Sequence, residues 1–281
     1  MSNIDRETVD GFGDEWTRFD QRGLSEAERQ TIFDQYFAVF PWDRIGPSSV
    51  GFDAGCGSGR WAMVVAPRVG KLHAVDASER ALLVARANME GAPNVDFHCA
   101  SIDEMPLADA SMDFGYSLGV LHHMPDTAAA IRACVRKLKP GAPLLLYLYY
   151  AFDNRPRWFR TVWQVSDMGR RVVSAMPHGM RFAASQALAA SVYWPLARSA
   201  RVLARLGVPV DNLPLSAYRD RSFYVMRTDA LDRFGTRLEH RFGRAEIQQM
   251  MEAAGLERVR FSEREPFWCA VGYRRSNDGA D

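Results

Sequence analysis

Along the first 150 residues, short apolar runs of strand length alternate with longer stretches whose apolar positions return every three to four residues. Runs at 49–53 (SVGFD), 71–76 (KLHAVD), 95–99 (VDFHC), 112–118 (MDFGYSL) and 143–150 (PLLLYLYY) predict strands. The intervening stretches 59–69, 78–90 and 126–139 predict helices. The last of these ends in KLKPGAP, a basic final turn followed by Pro and Gly that stops the helix. Alternation of this kind builds a parallel sheet covered on both faces. Near the C-terminus, 243–254 predicts a helix closed by Gly255. LERVRFSE and FWCAVGYRR follow as two strands that pair antiparallel. The expected fold is α/β, a seven-stranded, mostly parallel sheet with one antiparallel edge and helices on both faces.

Two regions break this rhythm. Residues 25–40 open on a Ser-x-x-Glu capping box and continue as an amphipathic helix. Residues 151–242 carry long helical patterns rich in Arg. The expected organisation is an N-terminal helical cap (1–45), a core (46–150 and 236–275) and a helical insertion (151–235), with the polar tail from Ser276 frayed. No apolar run approaches the ~20 residues of a spanning helix. The opening MSNIDRETVDGFGDEW lacks a secretory apolar segment, so a soluble, cytoplasmic protein is expected.

Charge and cysteine usage narrow the function. A net charge of +1 argues against coating nucleic acid by charge alone, and the expected partner is a small molecule. Within 155–206, however, nine arginines face a single acid, Asp167, for a net charge of +8. PLARSARVLARL sets Arg198, Arg201 and Arg205 in one helical stripe. That bias suggests an anionic substrate or peripheral contact with an anionic membrane, or else a solvated helix face. Cys56, Cys99, Cys134 and Cys269 form no C-x-x-C pair, which predicts reduced thiols. No metal site is expected, because His122–His123 is the only close histidine pair and no H-x-x-x-H occurs.

The candidate chemistry begins at VGFDAGCGSGR, residues 50–60, with glycines at 55, 57 and 59. Bare glycines at a strand-to-helix turn let backbone amides approach a ligand closely. Dinucleotide folds space them G-x-G-x-x-G, whereas here Arg60 and Trp61 follow an alternating triplet. Asp53 stands just before the loop and Asp76 ends the next strand. Cys56 reads as small packing rather than as a nucleophile.

DAGCGSG resembles motif I of the class I S-adenosylmethionine-dependent methyltransferases, in the small-molecule group with a D-x-G-C-G-x-G loop. HAVDASE is similar to the second motif, CASIDEMPLADASMDFGYSLGVLHHMPD to the third and fourth, and VRKLKPGAPLLL to the fifth. The likeness runs from Asp53 to Gly141 and resumes in the C-terminal helix and strands. It implies a Rossmann-like sheet of order 3-2-1-4-5-7-6 and S-adenosyl-L-methionine as cofactor. It also implies that Gly55, Cys56, Gly57 and Gly59 pass beneath the amino-acid part of the cofactor, whose ammonium Asp53 contacts. Asp76 would accept from both ribose hydroxyls, since a carboxylate offers two acceptor oxygens to a diol's two donors. Its charge would repel a 2′-phosphate, which disfavours NADP. Ala77 and Leu118 would neighbour the cofactor and Ile102 the adenine ring. The family's usual acid falls at Ser101, so either Ser101 or Asp103 would receive the adenine amino group. Trp16 and Arg18 would fold over the cofactor from the N-terminal side.

Methyl transfer mainly requires alignment of nucleophile, methyl and sulfur, and a base when the nucleophile carries a proton. SLGVLHHMPD sets His122 and His123 at the carboxyl edge of the sheet, where open α/β folds bind ligands. The alternative is a structural pair that packs against the loop. Asp126 reads as an N-cap. Tyr147, Tyr149 and Tyr150 end the fifth strand, with alternation placing the first two on one face. Tyr149 is a catalytic candidate, and Tyr150, Asn154, Arg155, Tyr218, Tyr224 and His240 are substrate-pocket candidates. The expected function is methyl transfer to a small molecule, foremost to oxygen, with an anionic or lipid- or glycan-linked acceptor in view. A nicotinamide-dependent dehydrogenase, disfavoured by the glycine spacing, and a cofactor-binding partner protein without turnover are the alternatives.

Overall fold

The computed structural model describes residues 3–276, so the tail expected to fray lies almost wholly outside the described residues. Seven strands, β1 (Val50–Ala54), β2 (Lys71–Asp76), β3 (Val95–Cys99), β4 (Phe114–Leu118), β5 (Pro143–Tyr147), β6 (Leu256–Phe261) and β7 (Cys269–Arg274), form one sheet. Its order is β3-β2-β1-β4-β5-β7-β6, the order expected. The first five strands are parallel, and β7 runs antiparallel to both β5 and β6. This arrangement sets the ends of β1, β2, β4 and β5 along one edge, which is where the candidate residues fall.

The helices are α1 (Arg6–Arg18), α2 (Glu26–Tyr36), α3 (Ala62–Val65), α4 (Glu79–Asn88), α5 (Thr127–Lys137), α6 (Arg157–Ser174), α7 (His178–Leu188), α8 (Trp194–Arg205), α9 (Phe223–Gly235) and α10 (Arg244–Ala253). Asp126 caps α5 as expected, accepting from the Ala129 amide at 2.8 Å. The helix expected over 59–69 is broken. α3 lasts one turn and gives way to a 3-10 turn at Ala66–Arg68, because Pro67 brings no N–H and its ring crowds the carbonyl four residues back. Only half of the expected capping box forms. Ser25 Oγ accepts from the Glu28 amide at 3.2 Å, but the Glu28 carboxylate accepts from the Ser222 amide, the residue that caps α9.

The chain divides into two units. One comprises Met1–Gln21, Arg29–Ala151 and Leu238–Asp281 and contains the sheet. Its core sets Phe52, Val75, Leu144 and Leu146 of the strands against Leu121, Ile131, Ile247 and Met251, all 0% exposed. Burial of each such side chain contributes about 1.5–3 kcal/mol. The other unit, Arg22–Glu28 and Phe152–Arg237, contains α6 to α9 and buries Tyr193, Ala197, Met226, Ala230 and Phe234. Here the expected arginine stripe is partly consumed by structure. Arg198 donates to the Arg219 and Arg221 carbonyls and lies over the Trp194 ring, and Arg201 pairs with Asp220.

Candidate active site

Between β1 and α3 the chain turns through Gly55, Gly57 and Gly59 at φ of +86°, +53° and +76°, conformations that a side chain strains. Space is also short. A Cβ on Gly55 would lie 2.4 Å from Val120 Cγ1, one on Gly57 2.8 Å from Trp16 Nε1, and one on Gly59 2.9 Å from Met89 Cε. Gly59 thus admits the end of α4, while Gly55 admits the turn after β4.

The loop corrects one expectation. Three of its amides are engaged within the protein: Gly55 and Cys56 donate to the Val75 carbonyl at 2.8 and 3.0 Å, and Gly57 donates to Asp76 Oδ2 at 2.8 Å. Asp76 Oδ1 accepts from the Ser78 amide at 2.8 Å. Burial raises the Asp76 carboxyl above its usual range, with the Ser78, Gly57 and Ala77 amides pulling against it. Cys56 is buried and its thiol is pushed well up, which removes thiolate character as expected.

Asp53 is 1% exposed, and neither of its oxygens has a hydrogen-bond partner. Burial pushes this carboxyl up to about 8, the neighbouring Tyr116 hydroxyl opposing the rise and Asp76 adding to it. Tyr116 sits opposite Asp53 in the β1–β4 register, its buried hydroxyl beside the carboxyl without forming a hydrogen bond of normal geometry. Sequence reasoning missed Tyr116; the register that pairs it with Asp53 was the signal. Two carboxylates beside a loop whose amides are engaged make an acceptor-rich site. That suits a cation and an alcohol donor better than a phosphate.

Beyond β3, Ile102 is buried in a 3-10 turn flanked by Ser101 and Asp103. Asp103 Oδ2 accepts from the Asn3 amide at 3.3 Å, whereas Ser101 Oγ and Asp103 Oδ1 lie near one another without a hydrogen bond of normal geometry. Burial works to raise Asp103, but the Ser101 hydroxyl and the Asn3 amide outweigh it and hold the carboxyl low. Leu118 ends β4, buried.

The turn Leu121–His123 follows. His122 is 0% exposed, stacks on Tyr149 at 3.9 Å, and has no partner at either ring nitrogen. Burial, then His123, drives it well below its ordinary value. His123 Nδ1 lies 2.7 Å from the Leu238 carbonyl, which can only accept. The neutral ring therefore carries its proton on Nδ1 and its lone pair on Nε2. Burial lowers His123 to about 4, against the Leu238 carbonyl and Glu239, which raise it. His240 joins this cluster, its amide donating to the His122 carbonyl at 3.0 Å. Arg241 lies over Tyr149 and pairs with Glu239 at 2.7 Å. Helix α1 connects the two halves of the site: Trp16 lies against Gly57 and Phe12 against His123 at 4.9 Å. Arg60 lies over Trp16, while Arg18 pairs with Asp14 at 2.7 Å.

The remaining candidates divide between the two units. Tyr150 packs on Phe267 and its carbonyl accepts from Arg241. Asn154, Arg155, Tyr218 and Tyr224 belong to the other unit. There Arg155 holds the Asp211 carbonyl, Tyr218 packs on Tyr193, and the Tyr224 ring covers Gly23. Among the described residues, His73, Asp96 and His98 also cluster, a grouping the sequence spacing concealed. The two imidazoles hydrogen-bond at 3.0 Å, and Lys71 Nζ already neutralises Asp96 at 2.7 Å, so the group reads as a surface ion-pair network.

Residues 52–146 match a family model described as a methyltransferase domain. These residues form a methyltransferase domain, set on a sheet of order β3-β2-β1-β4-β5-β7-β6. Within the methyltransferase domain lie Asp53, the glycine loop, Asp76 and the His122–His123 turn. Ubiquinone biosynthesis O-methyltransferase of Idiomarina loihiensis is 34% identical over 122 residues, covering 37% of this chain and 49% of that protein. The protein of the same name from Hahella chejuensis is 37% identical over 109 residues, covering 38% and 44%. The chain thus spans about half the length of the curated relatives it matches. A chain of the Haloferax volcanii complex between the Trm112 methyltransferase activator and a methyltransferase superposes with a TM-score of 0.53. It is 14% identical, and the match covers 94% of this chain and 98% of that one, a likeness of fold.

Proposed function

We propose that this chain binds S-adenosyl-L-methionine and methylates a hydroxyl oxygen of a small molecule. The observation that carries the reading is Asp53. A buried carboxylate with two unpartnered oxygens is costly by itself, and a ligand ammonium would satisfy it as a charge-assisted acceptor. Asp76 retains lone pairs for a ribose diol after accepting from Gly57 and Ser78. Ile102 would flank the adenine, with Ser101 Oγ and Asp103 Oδ1 as acceptors for its amino group. The bound cofactor supplies a methyl group on a positively charged sulfur, whose departure as a neutral thioether is already favourable.

What the protein adds is position and a proton acceptor. Nε2 of His123 would take the acceptor's hydroxyl proton as its oxygen becomes the nucleophile. The Leu238 carbonyl fixes the required tautomer by holding Nδ1–H. His122, stacked on Tyr149 and fully enclosed, would hold the turn rather than touch the acceptor. The choice of oxygen is supported by the names of the relatives, which are O-methyltransferases. The test is incubation with S-adenosylmethionine and matched panels of phenols, aliphatic alcohols and amines, read by mass spectrometry. Gain of one methyl by a hydroxyl compound is the expected result. Methylation of amines alone would overturn the oxygen assignment, and failure to bind the cofactor would overturn the whole reading.

A further inference from the structure

The apolar side chains that the helical unit leaves exposed are aligned. On α6, Trp158, Val162, Val165, Met168 and Val172 are all exposed, Val165 at 64% and Met168 at 69%. Their spacing places them on one face of a helix about 27 Å long. The opposite face packs Phe159, Trp163 and Val173 inward and, with them, an ion pair. Asp167 and Arg170 are buried as an ion pair at 2.5 Å, and Arg170 donates onward to the Thr236 carbonyl at 2.9 Å. A helix that encloses its ion pair and presents valines and a methionine outward differs from one that faces water. Single exposed apolar residues are ordinary, but a continuous stripe marks an interaction surface.

Charge selects the occupant. Arg157, Arg160 and Arg171 are exposed and, by helical geometry, fall along one border of the stripe. The segment 155–206 holds nine arginines and one acid, and that acid, Asp167, is held between Arg170 and Arg171. A second copy pressed against this face would set arginines against arginines with no acid to receive them. A bilayer with anionic headgroups meets both needs. Phosphates take the guanidinium groups, and the acyl boundary takes Trp158, Val165 and Met168. α8 and its C-cap repeat the combination, with Val202 on the helix and Leu206 just past it exposed at 55% and 73%, beside Arg205 in sequence. No described helix is long and apolar enough to cross a membrane, so the contact is one of lying on the surface.

We infer that the outward face of α6 is a peripheral docking surface for an anionic lipid bilayer. The inference stands apart from the methyl-transfer reading, because it rests on residues outside the methyltransferase domain. It is tested by sedimenting the full chain with vesicles of phosphatidylglycerol and phosphatidylcholine, or of phosphatidylcholine alone. The bound fraction is expected to favour the anionic vesicles by roughly tenfold or more and to fall as salt is raised. The double variant V165E/M168E changes two exposed positions. It should melt like the parent protein and bind the cofactor equally, yet remain in the supernatant. R157Q/R160Q should lose the preference for anionic vesicles. Equal sedimentation of V165E/M168E and the parent protein would overturn the proposal, as would no binding to anionic vesicles. A parent dimer that V165E/M168E converts to monomer would likewise overturn it, by assigning the face to a second copy.

Discussion

The Gly57 amide donates to Asp76 Oδ2 at 2.8 Å, so the crest of the glycine loop and the end of β2 hold one another. Asp76 Oδ1 takes the Ser78 amide at 2.8 Å, joining the same carboxylate to the start of α4. One side chain therefore shapes the loop and presents the acceptors assigned to the ribose. Its removal is expected to act on both.

Asp76→Ala should weaken S-adenosylhomocysteine binding by roughly tenfold or more, the scale of hydrogen bonds to a charged group. Hydrogen exchange at the Gly57 amide should accelerate in the same variant. Titration calorimetry and exchange measured on one preparation check both effects, and unchanged affinity would remove the ribose assignment.

Gly55→Ala combines a left-handed φ of +86° with a Cβ 2.4 Å from Val120 Cγ1. The expected loss is about 2–4 kcal/mol, from backbone strain together with overpacking. Adding Val120→Ala should recover the steric part only. Full recovery in denaturant melts would show that the backbone conformation carries no strain.

The two histidines should separate. His123 is lowered to about 4, mainly by burial, so as a base it is competent throughout the neutral range. With cofactor saturating, so that the Asp53-linked binding step is not limiting, kcat should fall only as pH drops toward 4, and an acid limb in kcat near the ordinary 6.5 would contradict the assignment. The same depression means that its contribution to stability is fully present above the ordinary value and is lost as pH falls through about 4. His123→Ala should lower kcat by roughly a hundredfold. His122→Phe, which keeps the stack on Tyr149 and removes two unpartnered nitrogens, should preserve turnover within a few-fold and the melting temperature.

Much of this architecture was legible in the chain. The strand runs and their order followed from periodicity and from the motif likeness, because each buried strand concentrates its apolar residues locally. What was not legible depends on register and on distant partners. The pairing of Asp53 with Tyr116 arises from alignment of β1 with β4. The amides of 55–57 turn toward β2 because the Val75 carbonyl and the Asp76 carboxylate lie within reach, which glycine spacing alone does not reveal. Glu28, expected to cap its own helix, accepts from Ser222, far along the chain. His73 and Asp96 meet across β2 and β3, where a search along one segment finds nothing. The arginine-rich stretch was visible as a charge bias, but the outward apolar stripe of α6 required knowing which face is buried.

The central claim is that Asp53 receives a ligand ammonium, and proton-linked calorimetry tests it most directly. With a carboxyl at about 8, free Asp53 is mostly protonated at pH 7, and an ammonium beside it favours the carboxylate. Titration with S-adenosylhomocysteine at pH 7, in buffers of low and high ionisation enthalpy, should show close to one proton released per ligand bound. Asp53→Asn should bind more weakly and release none. Binding by the parent protein without proton release, or no binding at all, would contradict the account.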